Sequence, residues 1–446
     1  MDFVKTTVDQ YRDLILEAER KMWAMPETGF KEFKTSKYLG EQFEALGYSL
    51  NYAEGITGFY TDVDTGKEGP TLLVLAELDS VVCRFHKECD PETGAVHACG
   101  HNAQCAALLG IAASLRHKEI LEGLCGKIRL CAVPAEECLE MEYRAKLREE
   151  GKIRYLGGKS EFLSRGYFDD VDIAFMVHQT SGTGCSVNLG GDSGFIAKTI
   201  VYKGVTAHAA CAAYLAKNAL YAATAGLNAV NALRETFRED TDRVRWHPII
   251  THGGDIVNNI PERVVIESML RAANYNALIE QNKKIDRALI GAAISFGVDI
   301  EINDEPGYAP LTNCPELSLL AKRAYNALFP DEECIAYGGI GSGVTDMGDL
   351  SMLMPVIHPY IGGAVGKGHG EDYAIVDPER ACLSSAKWQI ATIKLLLEND
   401  ASEAKRIISS YKPEFSSKEE FLLRQNSLKQ SGDRVEYRED GAVIIK

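Results

Sequence analysis

An α/β fold carrying a second, smaller βαββαβ unit as an insertion is predicted by three observations. Short apolar runs alternate with helix-patterned segments up to about residue 178, the order of a sheet with parallel strands. Three of those runs end in carboxylates or imidazole. Between 194 and 304 the order becomes strand, helix, two strands, helix, strand, a split βαβ sandwich. After Pro306 the first pattern resumes. The expected division is therefore 1–193 with 305–400 for the larger domain, 194–304 for the insertion, and 401–446 for a charged C-terminal extension with a frayed, helical surface.

The elements follow in order. Thr7 and Gln10 fit a helix capping box, and Val8, Tyr11, Leu14, Ile15, Ala18 and Met22 form a stripe at helical spacing. Thr71 to Ala76 reads as a buried strand, Ala103 to Leu115 as a small-residue helix, Ile128 to Val133 as a strand ending at Pro134, and Ile173 to Val177 as a third strand. Gly194 to Tyr202 alternates like a half-exposed strand. A helix over 213–234, strands near 248–253 and 264–271, a helix over 275–296 and a strand over 298–302 complete the insertion.

Composition narrows the class. The 446 residues are 46% hydrophobic and 25% charged, which fits a globular chain of two or three domains. A net charge of −16 repels phosphate backbones, so no nucleic-acid partner is expected. No run approaches the roughly 20 apolar residues of a membrane span, and no membrane partner is expected. The start, MDFVKTTVDQYRD, has neither an apolar signal core nor an Arg-rich pattern, so a cytoplasmic location is expected. The 12 cysteines have no disulfide-scaffold spacing and no C-x-x-C pair; free core thiols are expected, with a few available to ligate metal.

The chemistry-bearing residues gather after the strands. Glu77 and Asp79 follow the first, Glu136 and Glu137 the second, and His178 the third. Function collects at such strand ends, and three polar ends on one sheet edge suggest a metal site. Cys99 and His101 can reach one centre from the turn Gly100 permits, and thiolate with imidazole suits zinc or a similar ion. The alternative is an ordinary buried pair. Adjacent Glu136 and Glu137 point apart, so one can bind metal while the other is a general base. His178 and His369 are candidate late ligands. His208, in the insertion, is either a polar turn residue or an electrophile that stabilises an oxyanion. Arg271 is either a carboxylate clamp or a surface salt bridge.

Taken together, Glu77-Leu78-Asp79, His97 to Asn102, Pro134 to Glu137, Ala207 to Ala210, Asn258 to Pro261, Thr345 to Asp349 and Ile357 to Tyr360 resemble the M20 family of metallopeptidases and amidohydrolases over roughly residues 10 to 400. The likeness is nearest to its aminoacylase-like branch, with the β-alanyl-lysine dipeptidases. Aminobenzoyl-glutamate hydrolases and auxin-conjugate amidohydrolases are more distant. The resemblance implies a metal-dependent catalytic α/β domain with an inserted βαββαβ lid through which the protein forms a homodimer. It implies two divalent metal ions, zinc or manganese, held by Cys99, His101, Glu137, His178 and His369. Glu136 would be the general base and Asp79 would orient a ligand histidine. His208 from the partner subunit would stabilise the tetrahedral intermediate, while Asn258 and Arg271 would grip the substrate carboxylate.

The implied reaction is hydrolysis of the amide of a small molecule, an N-acyl amino acid or unusual dipeptide with a free carboxylate, by metal-activated water. An aryl-amide hydrolase of the aminobenzoyl-glutamate type is the alternative within the class. A catalytically silent conjugate-binding relative is the alternative outside it. The sequence departs from the family pattern at Ser80 to Cys83, in an apparent insertion over 84–93, and in the charged stretch from Glu140 to Gly151.

Overall fold

The computed structural model describes residues 1–446, and the chain forms two compact units. The first comprises Met1–Gly191, Thr312–Gly339 and Thr345–Lys418; the second comprises Asp192–Leu311, Ile340–Val344 and Glu419–Lys446.

The first unit is built on a six-stranded sheet in the order Asn51–Tyr52, Phe59–Asp64, Lys127–Val133, Thr71–Glu77, Ile173–Phe175, Val356–Ile357. The last four run parallel, and the first two are antiparallel to their neighbours. All seven residues of Thr71–Glu77 are buried, as a parallel strand covered on both faces requires. Helix His101–Ser114 is buried along its whole length. Its alanines pack with Ile15, Met22, Trp388 and Leu396 in the main core. A second sheet carries His178–Ser181 beside Tyr360–Val365.

The second unit is an antiparallel sheet in the order Arg245–His252, Arg263–Ala272, Gly194–Lys203, Asp299–Pro306. Helices Ala219–Leu233 and Tyr275–Phe296 join this sheet around one core, which includes Ile196, Trp246, Ile266, Leu270 and Leu289.

Three expectations are corrected. Thr7 is not a cap, because the first helix already begins at Asp2; the Thr7 hydroxyl instead donates to the Phe3 carbonyl one turn back. The third strand stops at Phe175, and His178 opens a strand of the second sheet. Residues 401–446 are not a separate, frayed extension. The segment Ser385–Ser410, two helical stretches joined by a kink over Glu398–Ala401, carries the chain on within the first unit, and 419–446 belong to the second. There Val435 enters the core, and Gln430 and Asp433 bridge to the outer strand Asp299–Pro306. The tail thus covers an edge whose N–H and C=O groups would otherwise be unpaired.

Candidate functional site

Strands Thr71–Glu77 and Lys127–Val133 end side by side, with Glu77 paired to Val133. The chain beyond them delivers Asp79, Glu136 and Glu137 to one sheet edge. The second turn is held from below. Ala135 adopts a left-handed φ of 58°, a strained conformation for a side chain with a Cβ. Its N–H donates to Glu32 at 2.8 Å. Burial, reinforced by the charge of Asp79, pushes the Glu32 carboxyl up to about 8. The Glu137 N–H donates to Asp79 Oδ2 at 2.9 Å. Gly158 packs against the same turn, and a Cβ there would lie 1.7 Å from the Pro134 carbonyl oxygen.

Cys99 and His101 flank Gly100, whose φ of 89° favours glycine and where a Cβ would also meet the Tyr373 hydroxyl at 2.5 Å. His101 Nδ1 donates to the Asp79 carbonyl at 2.9 Å and lies 3.4 Å from Asp79 Oδ1. His178 Nδ1 donates to the Gln179 carbonyl at 2.7 Å. Both rings therefore keep Nε2 as a lone-pair donor, the tautomer a metal ligand needs. His178 Nε2 is 3.4 Å from Cys99 Sγ. His369 Nε2 is 3.0 Å from Glu137 Oε1.

These atoms form two triads, Cys99–His101–His178 and Cys99–Glu137–His369, each with its ligand atoms within 4.8 Å of one another. They share Cys99 and together contain every residue expected as a ligand. His101 Nε2, in the first triad, is buried without a hydrogen bond. An orphaned buried acceptor is rare, and a divalent cation held by that triad would satisfy it. Thiolate, imidazole and carboxylate form a donor set for a borderline divalent ion, so the residues fit a metal.

Glu136 stands outside both triads. Burial, then the charges of Glu77 and Glu137, hold its carboxyl well above the usual range. Glu137 behaves oppositely: burial pushes it up, but the hydrogen bond and charge of His369 prevail and hold it low.

Sequence reasoning left Glu77 with no role beyond its strand end and passed over Lys159. The structure groups Glu77 with His101 and Glu136. Glu77 Oε2 lies 3.1 Å from His101 Nε2, and its other oxygen takes a short bond from the fully buried Lys159 ammonium. Lys159 also binds Asp346. Glu77's alternate-residue spacing from Asp79 was the one signal available for it. Lys159 sits in a Gly-Gly-Lys-Ser stretch that reads as a loop.

In the second unit, His208 and Asn258 lie together. His208 bridges to Asn259, and the Ala209 N–H donates to the Asn258 carbonyl. His208 Nδ1 accepts the N–H groups of Ala210 and Cys211 at 3.2 and 3.3 Å, which leaves Nε2–H as an exposed donor. Arg271 is elsewhere. It is near the far end of Arg263–Ala272, eight residues and about 27 Å along the strand from Arg263. One carboxylate therefore cannot be gripped by Asn258 and Arg271 of the same chain.

The clustered ligands mark a candidate metal centre at the edge of an α/β sheet. The chain matches the family described as Peptidase family M20/M25/M40 over residues 61–393, and it belongs to that family. It is 28% identical over 382 residues to the Xaa-Arg dipeptidase of Mus musculus, covering 82% of this chain and 80% of that one. It is 24% identical over 315 residues to an IAA-amino acid hydrolase of Arabidopsis thaliana, covering 68% and 67%. Its fold is similar to the Bacillus subtilis YXEP protein, a dinuclear metal-binding peptidase of the M20 family. The TM-score is 0.68 at 18% identity, covering 87% of this chain and 99% of that one. No helix is long and apolar enough to cross a membrane.

Proposed function

We propose that this M20 hydrolase cleaves the amide bond of an N-acyl amino acid or unusual dipeptide with a free carboxylate, using two divalent metal ions, zinc or manganese. The observation that carries the reading is the pair of triads sharing Cys99, with Glu136 beside them but outside both. Cys99, His101 and His178 would hold one ion, and Cys99, Glu137 and His369 the other. When bound, the ions supply Lewis acidity that polarises the amide carbonyl and acidifies water. Asp79 fixes His101 and the Glu137 backbone. Glu136, whose proton affinity is raised by burial and by the charges of Glu77 and Glu137, takes the proton of the attacking water and returns it to the leaving nitrogen.

The oxyanion donor is His208 Nε2–H, supplied with Asn258 by a second copy of the chain, while Arg271 binds the substrate carboxylate. A second copy is supported by apolar residues exposed on the second unit. Val257 is 96% exposed and Tyr214 84%, with Leu215 and Ile256 near them in sequence. Ile249 and Ile250 are exposed on the edge strand Arg245–His252. Such surface on a sheet edge suits a partner.

The test is hydrolysis of N-acyl amino acids and β-alanyl dipeptides by metal-loaded protein, with Glu136→Gln as control. Turnover by the wild type is expected to fall at least about 100-fold in Glu136→Gln with metal content unchanged. Absence of bound metal in the wild type would sink the reading.

A further inference from the structure

The insertion over 84–93 contributes no ligand to either triad. Val81–Val82 and Ala95–Val96 pair as a hairpin around it, and the Cys83 N–H donates to the Gly94 carbonyl at 2.9 Å. Two bonds anchor the loop between them. Trp23 Nε1 donates to Glu88 at 2.7 Å. Buried His86 takes the Glu88 N–H on Nδ1 at 3.1 Å, so its Nε2 carries the proton and donates to the Tyr373 carbonyl at 2.8 Å.

Tyr373 lies four residues beyond the candidate ligand His369. The His369 N–H donates to the Ala98 carbonyl at 2.8 Å, which lays this segment against the turn that carries Cys99. Tyr373 packs with Val81, Val96, Ala98 and Ala364, and Cys99 borders the same cluster. Its hydroxyl is the unusual atom. Tyr373 is 2% exposed, and the hydroxyl has no hydrogen-bond partner. It lies against Gly100, where a Cβ would meet it at 2.5 Å. An unpaired buried hydroxyl is costly, and a phenylalanine would fill the same space without that cost. Burial, and then the charge of Cys99, keep the proton on the oxygen, so the group is a donor. Gln179 also borders Gly100, but its amide nitrogen is committed to the Ala381 carbonyl at 3.1 Å. The remaining acceptor beside Gly100 is Cys99, common to both triads, whose sulfur becomes a thiolate when it ligates metal.

We propose that Tyr373 is a positioning residue of the metal centre: its hydroxyl donates a hydrogen bond to the Cys99 thiolate once metal is bound, and the 84–93 loop holds it there through His86. The proposal rests on the reading of the triads as metal sites. A donor to a buried thiolate stabilises its charge and fixes the direction of the sulfur. The hydroxyl thus finds its partner only in the loaded protein.

The test is titration of the full-length, metal-chelated protein with cobalt(II), as wild type and as Tyr373→Phe, because a thiolate-to-cobalt charge-transfer band reports on the sulfur itself. The wild type should show the band. In Tyr373→Phe the band should move to longer wavelength, since a thiolate without its donor gives up charge more readily, and cobalt(II) should bind about tenfold more weakly. Metal-free Tyr373→Phe should unfold at the same temperature as the wild type or higher, because the hydroxyl it loses is unpaired in that state. A lower unfolding temperature for the metal-free variant overturns the proposal, since the hydroxyl would already be bonded. A variant band at the same or a shorter wavelength also overturns it, whatever the affinity, since the tyrosine would then act by packing or through Gln179. In either case a wild-type band leaves the metal reading standing. A wild type with no such band overturns both readings.

Discussion

Each unit buries a lysine between two carboxylates, and the two lysines differ in what lies behind them. In the first, Lys159 binds Glu77 and Asp346 with no side-chain exposure on any of the three. Burial opposes its charge, but Asp346 and Glu77 together keep it protonated. In the second, Lys198 binds Asp286 at 2.6 Å and, by a shorter contact, Asp304. The remaining oxygens there meet amides: Asn282 donates to Asp304 at 2.6 Å, and Gln430 donates to Asp286 at 2.8 Å and to Asp304. That cluster is closed, and it fastens a helix, two strands and the C-terminal tail. Glu77 Oε2 instead accepts from the Gln104 amide at 3.0 Å and lies 3.1 Å from the lone pair of His101 Nε2. The same buried triad is a closed clasp where amides fill its oxygens, and adjoins a candidate metal ligand where His101 lies beside it.

The largest expected effect breaks the open triad. Lys159→Met leaves Glu77 and Asp346 buried without a counter-charge. Loss of one partner from a buried pair costs about 3–5 kcal/mol. Because Glu77 abuts His101, metal affinity should also fall by about 10–100-fold, as it does when groups behind a ligand are removed. Urea unfolding and metal titration measure the two losses. Lys198→Met should cost less, about 2–4 kcal/mol, since Asp286 is partly exposed and the Asn282 and Gln430 amides still donate to the two carboxylates. Its loss should be confined to the second unit: hydrogen exchange should rise first in Tyr275–Phe296, Asp299–Pro306 and the tail, with metal affinity unchanged. An equal fall in metal affinity for both variants would erase the distinction between the closed clasp and the cluster beside the candidate metal ligands.

The two triads were unequally legible in the sequence. Strands Thr71–Glu77 and Lys127–Val133 announce themselves because a doubly covered parallel strand is a continuous apolar run, and the carboxylates after them stand out against it. Helix Tyr275–Phe296 was equally plain from its 3.6-residue period. Lys159 and Asp346 are 187 residues apart and meet only through the fold. Neither Lys159 nor Lys198 differs in sequence from a surface lysine. The tail hairpin was readable in retrospect. Val435 and Tyr437, then Val443 and Ile445, alternate on either side of a Glu-Asp-Gly turn, but the high charge of the segment masked the alternation. Arg243 and Arg245 read as solvated charge, because sequence gives no hint that a loop from Ile340 to Val344 closes over them.

The smallest predicted effect concerns that loop and follows from pH. Asp192 is 8% exposed, and its carboxylate oxygen lies where a Cβ on Gly341 would sit. Burial pushes its carboxyl up to about 6, against a hydrogen bond from the Gly343 N–H that favours the charged form. In the unfolded chain it would titrate near 3.8. Below about pH 4 the carboxyl is protonated in both states and contributes no pH dependence. Between about pH 4 and 6 the folded state holds the extra proton, so stability falls as pH rises; above about 6 the whole penalty is present. Asp192→Asn keeps an oxygen that can accept from Gly343 and removes the charge. The variant should therefore unfold at higher urea than the wild type at pH 8, by about 1–3 kcal/mol, and the two should converge at pH 4. A constant difference across that range would mean that Asp192 acts through packing against the loop and not through its charge.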